Sequence, residues 1–341
     1  MKAWVIDKIF DLTKENSPLK LVDIPTPKTN KGELLIKVKA CGVCHTEIDE
    51  IEGRTPPPNY PIVPGHQVVG TIEDGNLIGS DLKPGDRVGI AWIYSSCGKC
   101  EYCLSGGENL CKDFIATGRD KNGGYAEYMV VPEKYAYKIP DVFTDEEAAP
   151  LLCAGAIGYR SVALCNMSNG NRIGLTGFGA SAHLVLKLIK YKYPESDVYV
   201  FARSSKERKF AKELGCTWAG DTTDKPNTYL DCIIDTTPVW KPIVHALECL
   251  KPGGRLVINA IRKENADQDY LINIDYPKHL WMEKEIKSVA NVTSLDVKEF
   301  LRIAVEMPFK PEVEIYPFNK ANQAIIDIKN RKIKGAKVLK I

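Results

Sequence analysis

The sequence contains no apolar run approaching the roughly 20 residues a membrane-spanning helix needs, so nothing in it reads as a bilayer segment. It has no excess of either charge: 46 basic and 44 acidic side chains leave a net charge of +2, with the signs interspersed. No basic stripe points to nucleic acid, and no acidic tail reads as a binding arm. The opening stretch MKAWVIDKIFDLTKENSP carries a charge every few residues and lacks the apolar core of a secretory signal. Internal repeats, low-complexity tracts and long linkers are missing too. These absences lead to the expectation of a soluble cytoplasmic protein whose partner is a small molecule, not nucleic acid or membrane.

What the chain does have is length and cysteine. At 341 residues and 44% hydrophobic content it is long for one core, so two domains are expected. Eleven cysteines without a secretion signal do not read as a disulfide framework. Four of them crowd into SCGKCEYCLSGGENLC: Cys97, Cys100, Cys103 and Cys111. Four thiolates close a tetrahedral zinc site and leave no position open for substrate, so this cluster reads as structural zinc. The competing reading is an iron–sulfur cluster. Cys41, Cys165, Cys216, Cys232 and Cys249 lie among apolar neighbours and read as buried small hydrophobes.

The first 150 residues are rich in Pro and Gly and in short alternating runs. ELLIKVKA (33–40), QVVGTIED (67–74), GDRVGIAW (85–92) and YAEYMVVP (125–132) predict strands of a barrel-like β domain. From about 155 the rhythm changes. RIGLTG (172–177), DVYVFAR (197–203), DCIIDTT (231–237), GRLVINA (254–260) and EIKSVAN (285–291) predict strands, with helices over 181–193, 205–215 and 240–250 between them. That alternation predicts a parallel sheet wound with helices. PEVEIYPF, an amphipathic helix and GAKVLKI return to strand character at the end. The expected division is a β-rich domain over 1–154, completed by 296–341, and an α/β domain over 155–295.

LTGFGASAH places Gly177 and Gly179 five and three residues ahead of a small third position, Ala182. The run follows an apolar strand and opens a helix, the context in which such a loop cradles a dinucleotide. Backbone N–H groups at the helix start, Ala180 and Ser181 among them, then face the pyrophosphate. Thr236 and Asn259, near the ends of later strands, are further candidate contacts. A catalytic zinc needs mixed ligands and an open position. Outside the four-cysteine cluster the candidates are Cys44, His45, His66 and Cys153, and no short spacing links them. His183, His245 and His279 read as structural.

GVCHTE, PGHQVVG, KPGDRVG, SCGKCEYCLSGGENLC, GGYAEY, LLCAGAIGY and GFGASAH occur in an order that resembles the zinc-containing alcohol dehydrogenases of the medium-chain dehydrogenase/reductase family. The likeness covers the whole chain. It implies a GroES-like catalytic domain, a doubly wound Rossmann domain and an active site in the cleft between them. It also implies two zinc ions: a catalytic one on Cys44, His66 and Cys153, and a structural one on the four-cysteine knuckle. The implied reaction passes hydride between an alcohol, aldehyde or ketone and a nicotinamide, with zinc as Lewis acid. Thr46 matches the residue that accepts the alcohol proton. Glu47 matches the carboxylate that orients the histidine ligand. Trp92 stands where similar enzymes line the substrate pocket. A homodimer or homotetramer is the family expectation. A polyol or amino-alcohol dehydrogenase, or a non-catalytic relative that binds zinc and dinucleotide, are the alternatives.

Departures from the family pattern fall at four places. Asp49 replaces a histidine that often ends the proton relay, and Gln67 replaces a glutamate after the ligand histidine. Ile157 takes a place that is often a hydroxyl residue. Relatives often carry Gly-Arg near the C-terminus, where the arginine meets the pyrophosphate; this chain has Ala336 and then Lys337, a possible substitute. For the coenzyme, no carboxylate ends the second strand of the nucleotide domain. Arg203, Ser204, Ser205 and Arg208 follow it and offer donors to a 2′-phosphate. The expectation is NADP(H), with NAD(H) possible.

Overall fold

The segment ELLIKVKACGV alternates in burial over its first half and is buried throughout its last four residues, as befits a strand that enters a core from an edge. In the computed structural model, which describes residues 1–75, 77–308, 310–330 and 335–341 and omits the side chain of Ala180, this segment is the hub of the first half. Lys2–Val5 (β1) and Lys20–Asp23 (β2) pair antiparallel. The hub Glu33–Val43 (β3) pairs antiparallel with Val68–Gly75 (β4), which pairs with Arg87–Ile90 (β5). Ile93–Ser95 (β6) and Ile115–Ala116 (β7) form a short ribbon whose connection carries all four clustered cysteines. Tyr128–Pro132 (β8) pairs with the start of β3, and Ala136–Lys138 (β9) pairs with β5.

Two helical features in this half place chemistry. His45–Ile51 (α1) follows β3 after one residue, Cys44, which is its N-cap. Glu101–Leu104 (α2) is a single turn inside the cysteine segment. Later, Asp145–Ala148 (α3) starts at a Thr144/Glu147 capping box, and Ala154–Cys165 (α4) starts directly after Cys153. The helical stretch Asp145–Cys165 has the length and composition of a membrane span, but 61% of its most apolar 18-residue window is buried within the fold, as a core helix would be.

The chain divides into two compact units, Met1–Ala156 with Asn291–Ile341, and Ile157–Ala290. The second is built on a six-stranded sheet in which all pairings are parallel. In chain order its elements are Arg172–Thr176 (β10), Ala180–Lys192 (α5), Asp197–Phe201 (β11), Ser205–Glu213 (α6), Trp218–Gly220 (β12), Leu230–Asp235 (β13), Lys241–Glu248 (α7), Leu250–Ile258 (β14), Tyr276–His279 (α8) and Glu285–Ser288 (β15). The sheet order is β12-β11-β10-β13-β14-β15. Its central strands are continuous apolar runs, buried throughout their middles, as strands covered on both faces must be. Trp218–Gly220 is too short and too glycine-bound to read as a strand from sequence; its pairing with β11 makes it one.

The chain then returns to the first unit. Ser294–Glu306 (α9) opens with a Thr293/Asp296 capping box and buries Val297, Phe300, Leu301, Ile303 and Ala304. Val313–Pro317 (β16), Ala321–Lys329 (α10) and Ala336–Lys340 (β17) follow, and β17 pairs antiparallel with the end of β3. The C-terminal strand thereby closes the N-terminal sheet. Leu34, Ile36, Ile48, Ile51, Ile72, Ile90, Met129 and Ile325 are fully buried in the core that this closure completes. Each such side chain stabilises by about 1.5–3 kcal/mol relative to exposure. Of the five cysteines expected to be buried, Cys41, Cys165, Cys232 and Cys249 are, while Cys216 is only half-buried at the end of α6.

Candidate active site and dinucleotide site

Cys44, His66 and Cys153 come from three separate places in the first unit: the N-cap of α1, the loop before β4 and the residue ahead of α4. The fold brings them together. His66 Nε2 lies 3.7 Å from Cys44 Sγ and 3.3 Å from Cys153 Sγ, and all three donor atoms fall within 4.8 Å of one another. Ligands of a tetrahedral zinc at ordinary bond lengths are separated by about 3.5–3.8 Å, so these spacings fit one ion. The donor set, two sulfurs and one imidazole, leaves a fourth position open. His45, the other histidine beside Cys44, is exposed and faces Asp49 at 3.8 Å instead.

The electrostatics agree. A hydrogen bond with Cys153 and burial push the Cys44 thiol well above its usual range. Burial alone would lower His66, but the carboxylate of Glu47 and the Cys44 sulfur draw it well above the usual histidine value. The cluster thus holds on to protons that a divalent cation would displace. Glu47 is fully buried. One of its oxygens lies 2.8 Å from His66 Nδ1, and the other accepts the backbone N–H of Cys44 at 2.8 Å. A single carboxylate therefore aims the imidazole and caps the helix that carries a second candidate ligand. Thr46 is half-buried in the first turn of α1, its N–H directed at Cys44 Sγ at 3.4 Å. Trp92 is buried and meets the His66 ring edge-on, with ring centres 5.0 Å apart. Gln67 turns toward Gly42: a Cβ added at Gly42 would lie 2.5 Å from its Oε1. Asp49 is buried and receives the Nε–H of Arg54 at 2.5 Å.

The second cluster is contained in one segment. The sulfurs of Cys97, Cys100, Cys103 and Cys111 also fall within 4.8 Å of one another, with Cys97 and Cys103 3.9 Å apart. The N–H groups of Lys99 and Cys100 bring the Cys97 thiol down to about 6, within reach of ionisation at neutral pH. A closed four-sulfur set fits structural zinc. Glu108, buried within the same segment, accepts the backbone N–H of Ser294 at 2.8 Å and so ties the knuckle to the start of α9.

In the second unit Gly177 sits directly after β10 with φ +77°, a left-handed turn that favours glycine. Gly179 is the N-cap of α5, and no atom lies within 4 Å of where its Cβ would be. No side chain caps the helix, so its first N–H groups face open space suited to an anion. Ala182 is fully buried, letting α5 approach the sheet, and Asn259 Nδ2 reaches Ser181 Oγ at 3.5 Å. The backbone of Ala180 begins α5; its side chain lies outside the described residues. The Thr236 hydroxyl is directed back to the Thr176 carbonyl at 2.9 Å.

Past β11, Arg203 and Ser205 are exposed and Ser204 is half-buried. Two expected coenzyme contacts have other work. Arg208 Nη1 donates to the carbonyls of Ala202 at 2.6 Å and Arg203 at 2.8 Å, so it fastens the strand end instead of reaching outward. Lys337 is buried in β17 of the first unit, where its ammonium pairs with Glu314 and lies 2.8 Å from the Tyr316 hydroxyl. A buried ammonium needs such partners, and these two hold it inside the first unit. The sequence reading also passed over Asp235 and Lys263, a buried ion pair in the second unit. The one available signal was an aspartate ending the apolar run CIID.

Residues 30–141 match the family described as the alcohol dehydrogenase GroES-like domain. The whole chain is 38% identical to a probable alcohol dehydrogenase, AdhA, of Mycobacterium tuberculosis, covering 97% of that protein. It is 33% identical to an alcohol dehydrogenase of Geobacillus stearothermophilus, again over the whole chain and 99% of the relative. Among solved structures it is similar to a cinnamyl alcohol dehydrogenase of Sorghum bicolor, with a TM-score of 0.87 at 26% identity over 99% of this chain and 97% of the other.

Proposed function

The chain belongs to the zinc-containing alcohol dehydrogenases of the medium-chain dehydrogenase/reductase family, and we propose that it interconverts a small alcohol with its aldehyde or ketone using NADP(H) in preference to NAD(H). In this reading Cys44, His66 and Cys153 hold one zinc ion and leave a position for substrate, while Cys97, Cys100, Cys103 and Cys111 hold a second. When bound, the first ion supplies a Lewis acid that lowers the pKa of the substrate hydroxyl, and the nicotinamide supplies the hydride acceptor.

The chain's own residues do the rest. The Thr46 hydroxyl relays the alcohol's proton, accepting it at its oxygen as its own hydroxyl proton passes on to water. Glu47 engages Nδ1 of His66 and so keeps Nε2 turned to the two sulfurs. Trp92, buried against the His66 ring, walls that side of the site from water. The uncapped start of α5 receives the pyrophosphate, and Arg203, Ser204 and Ser205 supply donors to a 2′-phosphate. Among the candidate coenzyme contacts of the second unit, Arg208 acts by holding the loop that carries Arg203.

The observation that supports this most is the convergence of Cys44, His66 and Cys153 from three distant segments, with Glu47 behind the imidazole. Four exposed residues along β15, an edge strand, together with exposed Tyr276, Trp281 and Met282 nearby in sequence, favour a homodimer or homotetramer. A soluble cytoplasmic enzyme is the accompanying reading of its location. The test is an activity screen of alcohols, aldehydes and ketones with both coenzymes, alongside metal analysis and light scattering on the purified chain. No turnover with any pair in a zinc-loaded preparation would sink the assignment. A higher catalytic efficiency with NADH would overturn the coenzyme preference alone.

A further inference from the structure

The sheet order of the second unit reverses at β10 and β13: β11 and β12 lie to one side, β14 and β15 to the other. In open parallel sheets the ligand lies outside the carboxyl ends of the strands at such a point. The residues ending those two strands are Thr176 and Asp235, and they are register partners. Asp235 is fully buried, where a carboxylate survives only with partners. It accepts the hydroxyls of Thr176 and Thr237 and pairs with the ammonium of Lys263. The Lys263 side chain is only 8% exposed, and it also donates to the carbonyls of Thr237 at 2.7 Å and Val239 at 3.1 Å.

Lys263 comes from the loop after β14. The same loop sends the Glu264 N–H to the Pro238 carbonyl at 2.6 Å, and the Asp267 carboxylate accepts the N–H groups of Trp240 and Lys241. Residues 236–241 are therefore clamped by residues 263–267. The clamp bears on the glycine turn. A Cβ added at Gly177 would stand 3.0 Å from Thr236 Oγ1 and 3.0 Å from Thr237 Cγ2. The turn thus rests on the clamped segment with no side chain between them, and a shift of one moves the other.

We propose that Lys263 is a positioning residue for the dinucleotide: through Asp235 and the carbonyls of Thr237 and Val239 it sets the glycine turn that aims the start of α5 at the phosphates. This rests on the dinucleotide-binding reading above. The turn serves the part that both coenzymes share, so a loosened clamp weakens both alike, unlike a change at Arg203.

The experiment measures dissociation constants for NADPH and NADH on the zinc-loaded enzyme, by fluorescence titration, for wild type, Lys263→Met and Lys251→Met. Lys251 pairs with Asp231 near the opposite ends of β13 and β14 and serves as the control ion pair. Lys263→Met is expected to raise both constants by about tenfold or more, the scale of small misplacements at a reacting site. Its KM for the alcohol should change less than twofold, and Lys251→Met should leave both coenzyme constants within twofold. Coenzyme constants within twofold of wild type in Lys263→Met, or an equal rise in Lys251→Met, would overturn the proposal. Should Lys263→Met not fold, Lys263→Gln, which keeps two donors but no charge, carries the same readout, with a rise of about threefold expected and constants within twofold of wild type again overturning it. A wild-type enzyme that binds neither coenzyme would instead defeat the dinucleotide reading itself.

Discussion

Replacing Glu47 by glutamine tests whether one buried carboxylate governs the metal site. Glu47 is fully buried: one oxygen accepts the N–H of Cys44 at 2.8 Å, and the other stands in ion-pair contact with Nδ1 of His66 at 2.8 Å. Glutamine matches the shape but carries one acceptor and one donor group. If its oxygen stays on Cys44, its amide protons face His66 Nδ1, and the ring is driven to the tautomer protonated at Nε2, the atom that faces both sulfurs. If the amide is flipped, the Cys44 N–H loses its acceptor, an unmet buried donor costing about 1–3 kcal/mol. Either arrangement sacrifices one of the two jobs. Loss of such an orienting partner typically costs about 10–100-fold in metal affinity or activity, which corresponds to about 1.4–2.7 kcal/mol. Competition with a chromogenic chelator gives the zinc affinity, and steady-state kinetics gives kcat. An E47Q enzyme within twofold of wild type in both would refute the reasoning.

Cys103→Ala should lower the melting temperature by roughly 10 °C or more, because metal binding at a closed site is folding energy, while Cys153→Ala should abolish turnover with the fold intact; melts and activity reported in the reverse pattern would exchange the two roles. Arg203→Ala should raise the KM for NADPH about tenfold more than that for NADH, since a charge-assisted contact is lost only with the former. Arg208→Ala, which frees the carbonyls of Ala202 and Arg203, should instead weaken both coenzymes and destabilise by about 1–2 kcal/mol; equal discrimination by both variants in steady-state assays would contradict this division. Glu50 is buried with neither oxygen hydrogen-bonded among the described residues, and burial and the neighbouring Glu47 push its carboxyl well above 4.5. A raised acid is neutral in the fold at low pH, and its penalty grows as the pH rises above that value. Glu50→Gln should therefore raise the melting temperature at pH 8 and change it little at pH 4.5; the opposite trend in scanning calorimetry would show that Glu50 is compensated.

Apart from β12 and α8, the strands and helices of the second unit were legible because the buried strands are uninterrupted apolar runs and helices begin or end on recognisable residues, such as Gly179 or Gly215. The first unit was harder. β1, β2, β6 and β7 are two to four residues long, and their pairing depends on partners up to about twenty residues away. No local period marks a strand that short. The closing of β17 onto β3 joins residues some 300 positions apart, which alternation within either strand cannot disclose. Buried polar partners were the least visible: Lys337 reads as a surface cation until β16 brings Glu314 beside it.

The two metal clusters show where sequence reasoning reaches its limit and why. The four cysteines of the knuckle lie within fifteen positions between β6 and β7, so no arrangement of that loop can separate them far, and their spacing alone implies a site. Cys44, His66 and Cys153 are separated by 22 and 87 positions, and only the resemblance to a family singled them out. What unites them is the fold: β3 delivers Cys44 to the cap of α1, the loop before β4 delivers His66, and the 3₁₀ turn Ala149–Leu152 delivers Cys153. Glu47 is the link that local sequence could have supplied. It is the third residue of a helix whose cap is a candidate ligand, so its side chain returns to that cap and to whatever ring stands next to it. The same economy appears in the second unit, where Asp235 ends a strand and gathers Thr176, Thr237 and Lys263 from three segments. In the first unit the positioning group, Glu47, is local to the helix cap it serves, whereas in the second Asp235 and Lys263 become partners only once distant segments have been brought together.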